Sequence, residues 1–295
     1  FGQRRTYLLG KGLDSVMNYP FKNAVLDFVK GKPAEQAMTE ILTICEHYPA
    51  PAMDTALNFL STHDTERALT VIADEPANGR GRAWQSGRCV TGDAYEEGLL
   101  RLRMAYAIIY TLPGVPCLYY GDEIGMGDII WLGDRDGVRT PMQWSPDRNA
   151  GFSTANPGRL YVPPSQDPVY GYQAVNVEAQ RDTTNSLLNW TRTMLAVRRR
   201  HDAFAVGSFR ELGGSNPSAL TYVRELDGDT VLCVNNLSRF PQPIELNLQH
   251  WNGYTPVELT GQVEFPRIGE LPYLLTLPGH GFYWFSLRAP VGEEP

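Results

Sequence analysis

Two features that are missing from this 295-residue sequence narrow its class before any motif is considered. No apolar run approaches the roughly 20 residues that a membrane-spanning helix needs, so we expect no membrane span. An excess of basic residues is also missing: acidic residues outnumber them by 33 to 26, which gives a net charge of −7. Proteins that bind nucleic acid or anionic membrane surfaces carry basic patches, so neither is an expected partner.

Cysteine is scarce, and the four residues form no CxxC pair; they are Cys45, Cys89, Cys117 and Cys233. Cys117 and Cys233 lie in apolar, strand-like runs, which favours buried thiols over disulfides and a reducing compartment such as the cytoplasm. The localisation itself stays unknown at this point. The sequence begins at Phe1 without a methionine, and we expect it to be the middle of something longer that would carry any signal peptide.

Strand and helix patterns alternate over the first 125 residues. Leu99, Leu102, Tyr106 and Ile109 are spaced three, four and three apart, which predicts one apolar face of a helix. Repeated strand–helix order predicts a parallel sheet of βα units. The candidate strands are 13–19, 56–61 and 115–120, and another candidate helix covers residues 21–30.

Residues 127–182 differ from what precedes them, since they are rich in Gly, Pro, Asn, Asp and aromatic residues and have little periodicity. We predict a long functional loop there. A helix is expected to follow, with Ser186 as its N-terminal cap. We therefore assign residues 1–202 to an α/β domain that includes this loop.

Residues 203–295 are predicted to form an antiparallel β-sandwich, because short apolar runs alternate with turns. Asp227-Gly228 is a hairpin signal between the first two runs. The candidate strands are 220–223, 231–235, 244–248, 256–259, 274–277 and 282–287.

The α/β domain is too small for a closed barrel, which needs eight strands and usually about 250 residues. Two interpretations stay open on the pattern alone. The region is either a small open sheet or the last part of a (β/α)₈ TIM barrel.

The segment from Phe59 to Asp64 is the most informative, because an apolar strand ends there in the pair His63-Asp64. Ligands of parallel βα folds bind at the C-terminal ends of strands. Asp64 can accept hydrogen bonds from sugar hydroxyls and His63 can donate one. A polar strand end or a helix cap is the alternative interpretation.

Asp122 and Glu123 follow the next candidate strand. With Asp64, either one would make the carboxyl pair of a glycosidase, in which the two groups lie roughly 5–10 Å apart. The glycines on both sides favour a tight turn in which the two carboxylates satisfy backbone groups and neighbouring charges.

These stretches resemble the α-amylase family of glycoside hydrolases. ALNFLSTHD is similar to the family's fourth conserved region, and LPGVPCLYYGDEIGM to its eighth barrel strand. GLDSVMNYPF is similar to the sixth strand of neopullulanases and cyclomaltodextrinases. The resemblance implies strands six to eight of a TIM barrel followed by the sandwich, with Asp64 as the transition-state stabiliser of a retaining mechanism and His63 beside it.

The family's nucleophile and acid/base belong to strands four and five, which the resemblance places upstream of Phe1. We therefore expect neither residue in this chain, and the chain alone to be inactive. Residues 134–137 lack the remaining ligands of an EF-hand, so no metal site and no cofactor are predicted. A calcium ion in the longer parent protein is compatible with the resemblance.

Residues 1–126 resemble neopullulanases and cyclomaltodextrinases, whereas residues 127–295 resemble the trehalose synthase branch, which converts maltose to trehalose. In related oligo-1,6-glucosidases the arginine of RTPMQW, here Arg139, lies at the pocket that holds the terminal glucose. A loop-fixing ion pair is the alternative role of Arg139. A gene fused near Met126 is one hypothesis for the mixed resemblance.

The expected activity is therefore glucosyl transfer from maltose to trehalose, with a hydrolase of α-glucans or an inactive fragment as alternatives. The expected partners are maltose, trehalose or short α-glucans, together with a missing barrel half or a second copy of the chain. An open sheet edge of an incomplete barrel favours such association.

Overall fold

The computed structural model describes residues 6–10, 12–73, 92–214 and 216–290. Contacts divide the chain into two units. The first unit comprises Phe1–Asn58, Met104–Cys117 and Met194–Pro295, and the second comprises Phe59–Arg103 and Leu118–Thr193. Phe1 and Cys89 lie outside the described residues, and the sequence domains 1–202 and 203–295 stay a prediction.

Three parallel segments of the first unit correspond to the three candidate strands of the α/β region. Strand β1 (Leu57–Asn58) pairs in parallel with β2 (Val115–Pro116), and Met17 forms a parallel bridge to Leu57. Buried Asn58 links the segments, since it accepts a hydrogen bond from Asn18 at 2.9 Å and donates one to the Pro113 carbonyl at 2.7 Å. The parallel order is thus as predicted.

The strands themselves are shorter than predicted. The amides of Val115 and Cys117 donate to the carbonyls of Ala56 and Asn58 at 2.8 and 2.7 Å, so Pro116, which has no N–H, occupies the position of β2 that does not donate to β1. The expectation of a buried thiol at Cys117 is wrong, because Cys117 is exposed, and Val115 of the same candidate strand is 43% exposed. In the described part of the chain, β2 pairs with β1 alone. The free thiol of Cys233 is buried, as expected.

Helices separate the first parallel segment from β1 along the chain. Helix α1 (Tyr19–Val29) was predicted and begins with Pro20 in its first turn and Asn18 as its cap. Helices α2 (Ala34–His47) and α3 (Ala50–Asp54) were not predicted. The buried residues of α2 include Ala37, Met38, Ile41 and Ile44, and this helical spacing was the signal that could have found it.

Two of the later helices were predicted from the sequence. Helix α4 covers Ala68–Ala73, and the predicted helix α5 covers Gly92–Thr111. Short helix α6 (Val177–Arg181) precedes α7 (Leu187–Arg198), whose Asn189 amide donates to the Ser186 hydroxyl at 3.2 Å, as the predicted cap requires. Helix α8 covers Ala203–Val206. No helix within the described ranges is long and apolar enough to cross a bilayer.

Eight strands follow α8 in the described residues, and all six candidate strands of this region are among them. One sheet has the order β3-β4-β5-β10-β7-β8, and β6 pairs with β9 in a second one. Asp227 and Gly228 both have positive φ, which gives the predicted tight hairpin between β4 and β5. The strands are β3 (Ser208–Glu211), β4 (Ala219–Leu226), β5 (Asp229–Asn236), β6 (Gln242–Leu246), β7 (Thr255–Glu258), β8 (Val263–Glu264), β9 (Tyr273–Leu277) and β10 (Phe282–Arg288).

The two sheets share one apolar core, which makes this region a sandwich. Val223, Leu232 and Phe285 of the larger sheet belong to the same buried cluster as Ile244 and Leu275 of the smaller sheet. Alternate residues of β9 are buried, as expected for a strand with one face on a core. This core stabilises the sandwich through burial of apolar surface.

The second unit contains the segment 127–182, which has no described strand and is built from turns and short helices. The 3₁₀ helices of this unit are Asp122–Ile124, Asp136–Val138, Arg148–Gly151 and Pro157–Arg159. Buried Gln143 ties the segment together through hydrogen bonds to the carbonyls of Tyr170 and Val175. The predicted long loop is therefore present and ordered by side-chain-to-backbone bonds.

Candidate functional site

The pair His63-Asp64 lies in a tight turn at the start of the second unit. The Asp64 amide donates to the Thr62 hydroxyl at 3.1 Å, and Thr62 forms an antiparallel bridge with Thr65. This turn leaves the side chain of His63 60% exposed and that of Asp64 38% exposed. Asp64 is thus accessible to a ligand and is not a buried helix cap.

Asp64 is the centre of a cluster of cationic and polar donors. Arg135 Nη1 donates to Asp64 Oδ1 at 2.7 Å, and Arg139 Nη2 donates to the same oxygen at 3.2 Å. His63 Nε2 lies 3.2 Å from the other oxygen, Oδ2. Arg139 Nε also donates to the His63 carbonyl at 2.9 Å. The structure thus brings together all three residues that the sequence singled out.

The cluster is open to solvent, which limits its effect on stability. The side chains of Arg135 and Arg139 are 48% and 36% exposed. Ion pairs with this exposure contribute little to folding, because water screens them. The concentration of charge on one accessible carboxylate therefore suits ligand binding better than stabilisation of the fold.

Sequence reasoning missed Arg135, although it makes the shortest contact with Asp64. The single turn of 3₁₀ helix Asp136–Val138 separates it from Arg139 and returns the chain so that both guanidinium groups reach one carboxylate. The signal that could have found it is its position four residues before Arg139, about one helical turn away.

Behind the cluster lies Arg67, whose side chain is fully buried. Its Nη1 donates to the Tyr120 carbonyl at 2.7 Å and to Asp122 Oδ1 at 3.3 Å. Its guanidinium also lies about 5 Å from the ring centroids of Tyr119 and Tyr120, at 4.9 and 5.0 Å. Its backbone amide donates to both carboxylate oxygens of Asp128, at 3.3 and 3.0 Å. This buried arginine connects three segments that are distant in the sequence.

The same group fixes the backbone on either side of Arg139. Arg67 Nη2 and the Tyr119 hydroxyl both donate to the Val138 carbonyl, at 3.4 and 3.1 Å. The Tyr120 hydroxyl donates to the Thr140 carbonyl at 2.7 Å. The backbone that carries Arg139 is therefore held from within the second unit, and its side chain extends towards Asp64.

Asp122 and Glu123 form the tight turn that the flanking glycines favoured. Gly121 and Gly125 both have positive φ. Asp122 is 2% exposed, pairs with Arg67 and accepts from the Ser61 hydroxyl at 2.5 Å. Glu123 accepts from the Gly121 amide at 2.7 Å, and burial raises its pKa. These contacts support a structural role for both carboxylates and give no support to an acid/base pair with Asp64.

Asp128 is a second buried carboxylate beside Arg67. Burial raises the pKa of Asp128 to about 7, against the opposing effects of the Arg67 charge and of hydrogen bonds from Arg67 and Thr70. Because this folded-state pKa lies above the unfolded value near 4, the folded protein holds an extra proton between about pH 4 and 7. The contribution of Asp128 to stability is complete below that window and is lost as pH rises to about 7.

We predict that Asp128→Asn removes this loss, because the amide keeps the shape of the carboxylate and has no charge to desolvate. The free energy of unfolding of the original protein minus that of the variant should be lower at pH 8 than at pH 5, by on the order of a few kcal/mol. Denaturant unfolding at the two pH values measures the difference. Asp182→Asn, at an exposed position, is the matched control, and an equal stability difference at both pH values would contradict the prediction.

Within the described ranges, no group of three or more His, Cys, Asp or Glu side chains is placed to hold a metal ion. The absence of a metal or cofactor from the working site stays a prediction. The chemistry that the described residues offer is a partly exposed carboxylate with two guanidinium donors on one oxygen and the His63 ring beside the other.

Two family models together match most of the chain. Residues 2–207 match the alpha amylase catalytic domain, and residues 209–284 match the maltogenic amylase C-terminal domain. The chain is also 21% identical to the α-amylase of H. orenii, over 98% of this chain and 52% of that one, with a TM-score of 0.72. The predicted fold class, the last part of a TIM barrel followed by an antiparallel β-sandwich, is confirmed.

Curated relatives include both branches that the sequence resembles. A trehalose synthase/amylase of Mycobacterium tuberculosis is 64% identical over an alignment of 265 residues, and the match covers 85% of this chain and 44% of the relative. A cyclomaltodextrinase of a Bacillus species is 28% identical over 233 residues, which are 78% of this chain and 31% of the relative. The chain thus spans less than half of the length of these relatives.

The trehalose synthase match also bears on the hypothesis of a gene fused near Met126. It covers 85% of the chain, whereas the residues after Met126 are little more than half of it, so the match extends across that point. The hypothesis itself stays a prediction about the source gene. With a matching catalytic-domain model, this identity and the shared fold, the chain belongs to the α-amylase family.

Proposed function

We propose that this chain is part of an enzyme that converts maltose to trehalose by glucosyl transfer, with Asp64 binding the hydroxyl groups of the transferred glucose. The observation that carries the proposal is the accessible Asp64 carboxylate, flanked by His63 and Arg139, in a chain that is 64% identical to a trehalose synthase. Maltose, trehalose and short α-glucans are the proposed ligands.

The charge of Asp64 suits the transition state of glycoside cleavage. That transition state resembles an oxocarbenium ion, so positive charge develops on the sugar ring as the bond breaks. A fixed carboxylate that accepts hydrogen bonds from the ring hydroxyls stabilises this charge more than it stabilises the neutral ground state. In a retaining mechanism this contribution adds to those of a nucleophile and an acid/base, neither of which we assign to a residue of this chain.

His63 and Arg139 would then bind the glucose unit and orient it. The His63 ring lies beside Asp64 Oδ2 and is largely exposed, so it can donate to a neighbouring hydroxyl. Arg139 is held by the His63 carbonyl and by Asp64, so its remaining N–H groups have a fixed direction. The two residues would place a glucose unit against the carboxylate.

A chimaeric enzyme tests the proposed activity. In it, this sequence replaces the matching 44% of the M. tuberculosis relative, and the remainder of that relative completes the barrel. With maltose as the substrate, we expect trehalose as the main product by chromatography. Glucose as the sole product would instead support the alternative of an α-glucan hydrolase, and an unchanged substrate would reject both activities for this sequence.

Further proposals concern the chain by itself and its location in the cell. The chain alone is proposed to be inactive and to associate with the complementary part of the barrel or with a second copy of itself. The cytoplasm is the proposed location, in keeping with the free thiols of Cys45, Cys117 and Cys233.

A further inference from the structure

We propose that Arg135 sets the sugar affinity of this site by occupying Asp64 in the sugar-free protein and yielding it to the hydroxyl groups of an entering sugar. The inference rests on the proposed role of Asp64 in sugar binding. It assigns opposite effects to two arginines that donate to the same carboxylate oxygen.

Asp64 Oδ1 is fully occupied in the structure. A carboxylate oxygen has two lone pairs, and the guanidinium groups of Arg135 and Arg139 donate to this one at 2.7 and 3.2 Å. A sugar hydroxyl that is to donate to Oδ1 must therefore displace one of the two. The arginine that is held less firmly, Arg135 or Arg139, is the one that the sugar would displace.

Arg139 is anchored and Arg135 is not anchored in the same way. Arg139 has a second bond to the His63 carbonyl, and its backbone neighbours are held by Arg67, Tyr119 and Tyr120. The side-chain contacts of Arg135 within the described ranges are to two carboxylates, Asp64 and Asp134. Arg139 thus orients Asp64, whereas Arg135 can move.

Asp134 offers Arg135 an alternative partner. Arg135 Nε already lies 3.4 Å from Asp134 Oδ2, and the Asp134 side chain is 74% exposed. If Arg135 moves from Asp64 to Asp134, its charge stays paired throughout the exchange. The exposure of all three groups keeps the change in electrostatic energy small, because water screens both pairs.

The consequence is a competition between Arg135 and the sugar for one acceptor. When only a fraction of the protein is competent to bind, the apparent Kd equals the intrinsic Kd divided by that fraction. Here the competent fraction is the one in which Arg135 has left Asp64. Removal of the Arg135 guanidinium should therefore tighten sugar binding, and removal of its alternative partner Asp134 should weaken it. Removal of the orienting Arg139 should weaken binding in every background.

Isothermal titration of the purified chain with maltose tests these signs without requiring turnover. Arg135→Ala should lower the Kd about threefold to fivefold, and Arg139→Ala should raise it about tenfold. Asp134→Asn should raise the Kd about twofold in the original protein and leave it unchanged when Arg135 is already alanine. This dependence on background is the expected coupling between Asp134 and Arg135.

The outcomes separate the inference from the proposed function. A higher Kd for Arg135→Ala would overturn the inference, because Arg135 would then orient Asp64 as Arg139 does. An effect of Asp134→Asn that persists without Arg135 would also overturn it. If Asp64→Asn leaves the Kd unchanged, the proposed role of Asp64 fails and the inference fails with it. If the original protein does not bind maltose, the inference is overturned, whereas the proposed activity is judged by the product that the chimaeric enzyme forms.

Discussion

Replacing Asp64 by asparagine in the chimaeric enzyme is expected to lower kcat/KM for maltose by about 10²–10³-fold, the size of effect seen when one preorganised electrostatic contact is removed. Asparagine keeps the shape of the side chain but loses the negative charge that opposes the developing charge on the sugar. Its NH₂ group also cannot accept from Arg135 or Arg139, which donate to this position.

Asp182→Asn is the matched control for this change. It makes the same substitution at an exposed residue of the second unit and should leave kcat/KM within about twofold. The thermal midpoint of the Asp64 variant should stay close to that of the parent enzyme, because exposed ion pairs contribute little to folding. An Asp64→Asn enzyme with at least a third of the parental kcat/KM would remove the catalytic role of this carboxylate.

Arg67→Met is expected to destabilise the protein by about 3–5 kcal/mol, the range for removal of one partner from a buried ion pair. Methionine fills much of the volume but leaves Asp122 without the charge of Arg67. It also removes the donors to the carbonyls of Tyr120 and Val138. Denaturant unfolding of the protein measures the loss.

Two further variants serve as a control and as a test of the buried charge. Arg192→Met, at an exposed position of α7, should change stability by less than about 0.5 kcal/mol. Adding Asp122→Asn and Asp128→Asn to Arg67→Met should restore part of the loss, since the uncompensated buried charges are then gone. A loss below about 1 kcal/mol for Arg67→Met alone would show that the buried charge is not important for the fold.

Local sequence signals predicted the sandwich well. Strands β4 and β5 are apolar runs that pair with each other, and the Asp227-Gly228 turn between them determines their register. Helix α5 was equally clear from its apolar spacing. These elements are specified by residues close together in the chain, which is why the sequence alone was sufficient.

Elements that depend on distant partners were predicted less well. The apolar run around Cys117 predicted a buried thiol, yet Cys117 is exposed, because burial is decided by neighbouring segments that periodicity does not show. Strands β3 and β8 were missed, and both are short and mostly exposed. A strand of four residues or fewer with little burial has no pattern to detect.

The residues of the candidate site also differ in how well the sequence predicted them. Strand-end position and family resemblance placed His63, Asp64 and Arg139 together, and the structure brings them within hydrogen-bonding distance. Arg67 and Asp128 could not be found in this way. Arg67 reaches Tyr120 and Val138 across 53 and 71 positions of the chain, and only the folded structure reveals such contacts.

A crystal structure of the chimaeric enzyme with maltose would test most directly whether Asp64 binds sugar. We predict that an Asp64 carboxylate oxygen lies about 2.5–3.0 Å from a glucose hydroxyl, with Arg139 still in contact with the carboxylate. A maltose molecule ordered elsewhere, with Asp64 bound only to Arg135, Arg139 and His63, would contradict the assignment of this cluster as the sugar site.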